Sequence, residues 1–435
     1  MVRVASSSFV TIARSTPSDE RNGERPVTEA NQSEGNTPLA IDVARVRAET
    51  PGCTGVLHFN NAGAALPPAS VVQAQIAHLR RESEVGGYEA AREAAPRFEH
   101  TYDALARMLG CKRDEIALFN NATLAWDMAF HSLDFAAGDR ILTAEAEYAS
   151  NYIAYLQVAR KTGAVVETVP SDASGQLDVD ALRRMIDSRV KLITVSHVPT
   201  NGGLVNPAEE IGEVARAAGV PYLLDACQSA GQMALDVEAI GCDMLTATGR
   251  KYLRGPRGTG VLYVRGDFLD RLEPPFLDLR GAHWQAPDQY VMADTARRFE
   301  SWEFNHAAFI GLGVAVDYAL AWGLDAIAAR VTALAESLRT GLSAIPGVTV
   351  HDIGRRRCGI VTFTVAGLAA GEVCNALTAR RINTWITSPS STLLDATRRR
   401  LPDMVRASVH YYNDDDEVVR FCEAVAELAT HGADK

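Results

Sequence analysis

The sequence is short of several features, and each shortage removes a class of function. It has no CxxC pair; its seven cysteines (Cys53, Cys111, Cys227, Cys242, Cys358, Cys374, Cys422) stand singly along 435 residues. Neither a structural zinc site nor a dense disulfide framework reads that way. Reduced thiols, a cytoplasmic location and no metal are therefore expected. No apolar run approaches the roughly 20 residues that cross a bilayer, so no membrane association is expected. Positive charge is in deficit, 43 Lys and Arg against 54 Asp and Glu, a formal net charge of −11. A nucleic-acid binder is normally basic, so no nucleic-acid partner is expected.

What is present is ordinary globular material: 47% hydrophobic and 22% charged residues, enough for a sizeable core. The length suits two or three domains, or one large domain with a smaller appendage. Residues 1–40 are rich in Ser, Thr, Pro, Asn and charge without a sustained period, and read as a disordered N-terminal extension. Two Arg and no acid in the opening stretch faintly resemble a transit peptide. Asp19 and Glu20 follow, however, and no apolar targeting core is present.

Beyond residue 40, short apolar runs alternate with helical patterns. EIALFN (115–120), RILTA (140–144), AVVETVP (164–170), KLITVSHV (191–198), PYLLDA (221–226), DMLTAT (243–248) and GVLYV (260–264) read as strands. Helices are expected from Leu124, over Tyr152–Lys161 and near Glu209–Ala218. This alternation predicts βαβ units and a mostly parallel sheet covered by helices on both faces, an α/β class. A large domain is expected over 41–320, its segment 41–75 packing with a smaller α+β domain over 321–435. That smaller unit reads as a helix over Ala326–Ile345, strands VTV (348–350) and GIVTFTV (359–365), a helix over 370–380, strand RASVHY (406–411), and a last helix over Asp415–Thr430.

In open α/β sheets, ligands sit beyond the carboxyl ends of the strands. Asp225 ends PYLLD. It is either the cap of the next helix or a carboxylate facing the protonated ring nitrogen of a cofactor. Lys251 follows the next strand, DMLTAT, so one βαβ step brings it near Asp225. Alone it reads as a surface charge, but an amine there can condense with a carbonyl cofactor. FNNATLAWDMAF places Ala122 and Thr123 at a helix N-terminus, which serves either as an ordinary cap or as a phosphate seat.

These pieces, in this order, resemble the class V aminotransferase family of pyridoxal 5′-phosphate (PLP) enzymes, fold type I. That family includes cysteine desulfurases, isopenicillin N epimerase-like proteins and C–S lyases. The resemblance runs from about residue 55 to the C-terminus. It implies a large domain with a mostly parallel seven-stranded sheet between helices, a smaller C-terminal α+β domain, PLP, and a homodimer with shared active sites. It implies Lys251, Asp225 and Tyr148 as catalytic: the lysine bonded to the cofactor, the aspartate at its ring nitrogen, and the aromatic of AEAEYASN stacked on the ring. Gln228 would lie near the phenolic oxygen, and Ala122, Thr123, Thr248 and Arg250 at the phosphate. Thr200, in SHVPTNGG, joins the cofactor set at a position where Asn is common. Arg406 of VRASVHYYND would grip a substrate α-carboxylate, a task suited to a planar guanidinium. Asn61 and Ala62 of HFNNAGAALPP would lie near the same carboxylate. Glu303, Asn305 and His306 of FESWEFNHAAFIGLG match a segment that the family sends across a dimer interface to the neighbour's phosphate.

Two departures shape the functional expectation. Cysteine desulfurases need a nucleophilic cysteine in a mobile loop, but INTWITSPSSTLLDATRRRLPDMVRAS offers Ser388, Ser390 and Ser391 and no cysteine. A thiolate is a far better sulfur nucleophile than a hydroxyl. Arg250 also stands where desulfurases usually have His. Finally, EVGGYEAAREAAPRFEH is similar to text of the hercynylcysteine sulfoxide lyases of ergothioneine biosynthesis, with Tyr88 placed to contact the distal part of a substrate. The expectation is thus a C–S β-lyase on a cysteine conjugate or its S-oxide, giving pyruvate, ammonia and a thiol or sulfenate. An aminotransferase or epimerase is the alternative, and desulfurase chemistry is disfavoured.

Overall fold

A computed structural model describes residues 41–433. The extension expected over 1–40 lies outside the described residues. The centre is a seven-stranded sheet formed by β1 (Ile116–Phe119), β2 (Arg140–Ala144), β3 (Val165–Val169), β4 (Val190–Ser196), β5 (Tyr222–Asp225), β6 (Met244–Thr248) and β7 (Gly260–Val264). Their order across the sheet is β1-β7-β6-β5-β4-β2-β3. Strands β2 to β6 pair in parallel, whereas β7 runs antiparallel to both β1 and β6. The apolar runs foretold the strands but not this reversal, because periodicity carries no direction.

Alternate strand residues feed two cores, as the two-residue period of a strand requires. Ile116, Leu118, Leu142, Ile193, Val195, Leu224 and Leu245 pack toward one face. Ala117, Phe119, Ile141, Leu192, Leu223 and Met244 pack toward the other, where Trp126, Phe130 and Tyr155 cover them. Each large apolar side chain so buried contributes roughly 1.5–3 kcal/mol.

Residues 69–109, which the sequence pattern left unplaced, form two long helices, α1 (Ala69–Val85) and α2 (Gly87–Leu109). Gly86 divides them at φ +100, a conformation costly for any residue with a Cβ. Both helices pack on α3 (His306–Trp322), whose almost wholly apolar sequence is buried between them and the sheet.

A second, four-stranded antiparallel sheet comprises β8 (Val348–Val350), β9 (Ile360–Val365), β10 (Trp385–Thr387) and β11 (Met404–Ser408), in the order β8-β9-β11-β10. The last of these strands ends earlier than RASVHY suggested. His410 N–H turns instead to Asn413 Oδ1 at 2.8 Å, starting a turn. Val46 and Phe59 join Leu334, Leu338, Phe363, Val405 and Phe421 in the core of this part, and Leu57 and His58 pair in parallel with Ile382 and Asn383. Among the described residues, no single helix is long and apolar enough to cross a membrane.

Candidate active site

The carboxyl ends of β4, β5 and β6 open on one cavity. Asp225, the last residue of β5, reaches it buried. Its Oδ2 accepts a hydrogen bond from Asn151 Nδ2 at 3.0 Å, and its Oδ1 accepts one from the backbone N–H of Cys227 at 2.9 Å. Lys251 lies in the turn after β6, which is closed by Gly255 N–H to Gly249 O (2.7 Å) and Arg254 N–H to Lys251 O (2.9 Å). Gly249 is required there, since a Cβ would sit 2.2 Å from Thr259 Oγ1 and 2.9 Å from Leu312. Both Asp225 and Lys251 line the cavity, with Tyr148, Thr200, Gln228 and Thr248. Burial, reinforced by the neighbouring Arg250 charge, pushes the Lys251 ammonium down to about 8 against the opposing pull of Cys227 and Asp225. A lysine so placed is substantially neutral near neutral pH and can serve as a nucleophile or base.

At the opposite wall, Asn121 caps the helix Ala122–His131 by accepting Leu124 N–H at 2.9 Å. The N–H groups of Ala122 and Thr123 precede the first intrahelical bonds and face the cavity. Arg250 stands beside them. It donates to the Gly63 carbonyl, and burial lowers its affinity for its proton.

Arg406, buried on β11, gives both bonds of its Nη1 to Thr200, at 2.6 Å to Oγ1 and 3.2 Å to the carbonyl. No carboxylate meets it, and its Nε has no partner. Burial, with Arg250 adding, pushes Arg406 down to about 10. Three further buried polar atoms lacking partners line the same cavity: Trp126 Nε1, Gln228 Oε1 and Thr246 Oγ1. Buried polar groups are almost always paired, so this concentration marks a place built for a polar ligand.

The donor set suits PLP. Trp126 N–H, the helix N-terminus and Arg250 fit a phosphate monoester. Asp225, without a cation of its own, fits a protonated ring nitrogen, and Lys251 fits the aldehyde carbon.

Other expected residues stand elsewhere. Asn61 is buried, but its amide donates to His58 O (3.3 Å) and Ser408 O (2.7 Å) while its oxygen accepts from Tyr412 (2.5 Å). Ala62 N–H is held by Ser408 Oγ at 2.9 Å, and its carbonyl by Gln228 at 3.2 Å. The carboxylate contact expected of this pair is therefore corrected: neither has a free donor. Tyr88 is 72% exposed on α2 and does not line the cavity, so within this chain it meets no substrate. Glu303, Asn305 and His306 also lie away from it. Asn305 caps α3 by accepting Ala308 N–H at 2.9 Å, and His306 packs against Phe98, ring centroids 5.1 Å apart. Sequence reasoning missed Trp126, Asn151, Ser196, Cys227 and Thr246, all on the cavity wall, and Glu147 behind them. Among the described residues, no cluster of His, Cys, Asp and Glu is disposed to hold a metal ion.

Comparison with known proteins agrees with this geometry. The family model "Aminotransferase class-V" matches residues 56–421. A probable cysteine desulfurase of Synechocystis sp. is 31% identical over 388 residues, covering 85% of this chain and 90% of the relative. The apo cysteine desulfurase of Thermococcus onnurineus NA1 superposes with a TM-score of 0.82 at 28% identity, over 89% of this chain and 98% of that one. C-DES, in a variant with glycine covalently linked to its PLP cofactor, gives 0.79 at 25% identity, over 88% and 99%. These findings overturn the expected sulfoxide lyase, with its aminotransferase or epimerase alternative. The relatives carry the name cysteine desulfurase, the activity that the missing loop cysteine had set aside, and nothing among them points to ergothioneine chemistry. A buried lysine, an aspartate at a strand end and a helix N-terminus around one cavity, on a fold type I scaffold matched along most of its length, make this chain a member of the aminotransferase class-V family with pyridoxal 5′-phosphate as its cofactor.

Proposed function

We propose that the protein is a cysteine desulfurase that delivers sulfur to a thiol from outside its own chain. The balanced reaction is cysteine plus R–SH giving alanine plus R–SSH: the Cβ–S bond breaks, an S–S bond forms, the side-chain carbon is reduced and the two sulfurs are oxidised. The observation that carries the reading is Arg406, a buried guanidinium with an unpaired Nε and no anion of its own. A substrate α-carboxylate completes it. The names of the relatives support cysteine as the amino acid.

Bound PLP supplies an electron sink for the pair released at the substrate Cα. The chain's residues do the rest. Arg406 fixes the carboxylate and so aims the Cα–H bond. Lys251 Nζ, partly neutral near pH 8, takes the α-proton and later returns one. Asp225 stays at the cofactor's ring-nitrogen position, held there by Asn151 and the Cys227 N–H.

An external acceptor follows from the thiol inventory. No cysteine lies between residues 375 and 421, so the loop carrying Ser388, Ser390 and Ser391 has none. Asn201 pins that loop by donating to Ser388 O and Thr392 Oγ1, each at 2.9 Å. Cys374 is buried and held by Thr384 at 3.5 Å. Cys227 lines the cavity, but burial and the Asp225 carboxylate raise its thiol well above the usual range, which makes it a poor nucleophile.

PLP-loaded protein incubated with cysteine and a small thiol should release alanine and sulfide in equal amounts, with the rate rising with thiol concentration. Pyruvate and ammonia without alanine would refute the reading, as would alanine formation indifferent to the thiol.

A further inference from the structure

The densest hydrogen bonding near the site converges on a residue outside the ligand's reach. Glu147 is buried just after β2, and its two oxygens accept five hydrogen bonds. Oε1 accepts from Tyr148 N (2.8 Å), Asn151 Nδ2 (3.0 Å) and Ser196 Oγ (2.5 Å). Oε2 accepts from Thr143 Oγ1 (2.9 Å) and Ser196 N (3.0 Å). None of these donors is a cation. Burial pushes Glu147 up, and the Asp225 carboxylate adds to that, while Ser196, Tyr148 and Asn151 pull it down.

Asn151 connects the two carboxylates. The same Nδ2 gives one N–H to Glu147 and the other to Asp225 Oδ2 at 3.0 Å. An amide can present either its oxygen or its nitrogen, and its orientation follows from its neighbours. Here both neighbours are acceptors, so only the NH₂ end satisfies them. With Glu147 gone, nothing prevents the amide from turning its oxygen toward Asp225. Ser196 ties the assembly to the sheet: it holds both Glu147 oxygens and pairs with Asp225 across β4 and β5.

We propose that Glu147 and Asn151 are positioning residues for Asp225, Glu147 locking the Asn151 amide so that it grips Oδ2 and leaves the carboxylate aimed at the cofactor's ring nitrogen. The proposal rests on PLP as the cofactor, not on cysteine as the substrate. Two buried carboxylates on one amide are costly without a cation. A protonated pyridine ring beside Asp225 offsets that cost, so the pair favours the ring form that serves as electron sink. Neither side chain touches the reacting atoms, and the effect is indirect.

The test is titration of PLP into apo protein, followed by the absorbance of the bound cofactor, for wild type, Asn151→Ala, Glu147→Gln, Asp225→Asn and the two double variants. Asn151→Ala and Glu147→Gln should each weaken PLP binding by about 10-fold, in the lower part of the range for lost supporting contacts. Each should also change the absorbance of the bound cofactor. On the Asp225→Asn background, either substitution should add less than about 2-fold, because residues acting through one partner are non-additive. Unchanged affinity and spectrum in Asn151→Ala would overturn the proposal. A full additional loss on the Asp225→Asn background would also overturn it, showing a merely structural role. If Glu147→Gln fails to fold, Asn151→Ala still decides, since it removes only the link. Because the readout is cofactor binding, it stands whether or not cysteine proves to be the substrate.

Discussion

Two buried guanidinium groups in this molecule make opposite use of the same chemistry. Arg254 and Arg406 are both almost wholly inaccessible, and neither forms an ion pair within the chain. Arg254 is complete. Its three nitrogens donate to Leu66 O (2.9 Å), Tyr411 Oη (2.8 Å) and Thr50 Oγ1 (2.5 Å). Three tyrosine rings surround it, with centroids at 4.5, 5.1 and 5.5 Å. The charge is solvated by neutral oxygens and π faces, and it joins the turn after β6 to the second sheet's core. Arg406 is incomplete: one nitrogen is bonded to Thr200, its Nε is bare, and its proton is held less firmly than usual. A finished buried cation is architecture, and an unfinished one awaits a ligand.

The widest separation should come from replacing each in turn. Arg406→Ala should lower kcat/KM by about 10²–10³-fold, mostly through KM, because a truncated charge contact to substrate costs about 2–5 kcal/mol. Its thermal midpoint should hold or rise, since an uncompensated buried charge is removed. Steady-state kinetics beside a melting curve give both numbers. A midpoint that falls steeply with unchanged KM would place Arg406 with the architecture.

Arg254→Met should do the reverse. It strands the Tyr411 and Thr50 hydroxyls and the Leu66 carbonyl, at about 3 kcal/mol. Denaturant unfolding should show the loss, while the folded enzyme keeps its KM. A raised KM with intact stability would bring Arg254 into the site and dissolve the contrast.

Lys251 belongs with Arg406 as a cation left short of partners, and it titrates in reach. Its folded value near 8 lies below the roughly 10.4 of an ordinary lysine, so the unfolded chain binds that proton more tightly. The resulting penalty on the apo protein is fully present below pH 8 and is relieved as pH rises toward 10.4. Apo wild type should therefore gain thermal stability relative to Lys251→Ala between pH 8 and 10. Parallel pH curves for the two proteins would show that Lys251 is ordinary.

Much of this contrast was legible in the sequence, and the reason is local. Asp225 and Lys251 each end an apolar run, and strand ends converge in a parallel sheet, so their meeting follows from order along the chain. The capped start of the helix at Ala122 was readable for the same reason. What depends on neighbours in space was not. Asn61 reads as a free amide until Tyr412 and Ser408 arrive from the far end of the chain to fill it. Glu147 reads as one acid among several in AEAEYASN until Ser196 and Asn151 converge on it. The helices over 69–109 were obscured by Gly86, Gly87 and Pro96, which punctuate a pattern that Phe98, Tyr102, Leu105 and Leu109 keep on its buried side.

The smallest expected effect concerns Cys227, which the cavity geometry makes tempting as a sulfur acceptor. It lies two residues from Asp225 and lines the same wall as Lys251. Its surroundings argue against thiolate formation: burial is the leading cause, and the Asp225 carboxylate adds to it, outweighing the pull of Lys251 and Arg250. Its structural contribution is its backbone N–H, which holds Asp225 Oδ1 and survives substitution. Cys227→Ala should therefore keep turnover within about 3-fold, since a thiol held neutral is a weak nucleophile, and should keep its dependence on added thiol. A variant that loses turnover by two orders of magnitude while binding PLP normally would make Cys227 the internal acceptor. Arg406 would then no longer be the one unfinished group that the substrate completes.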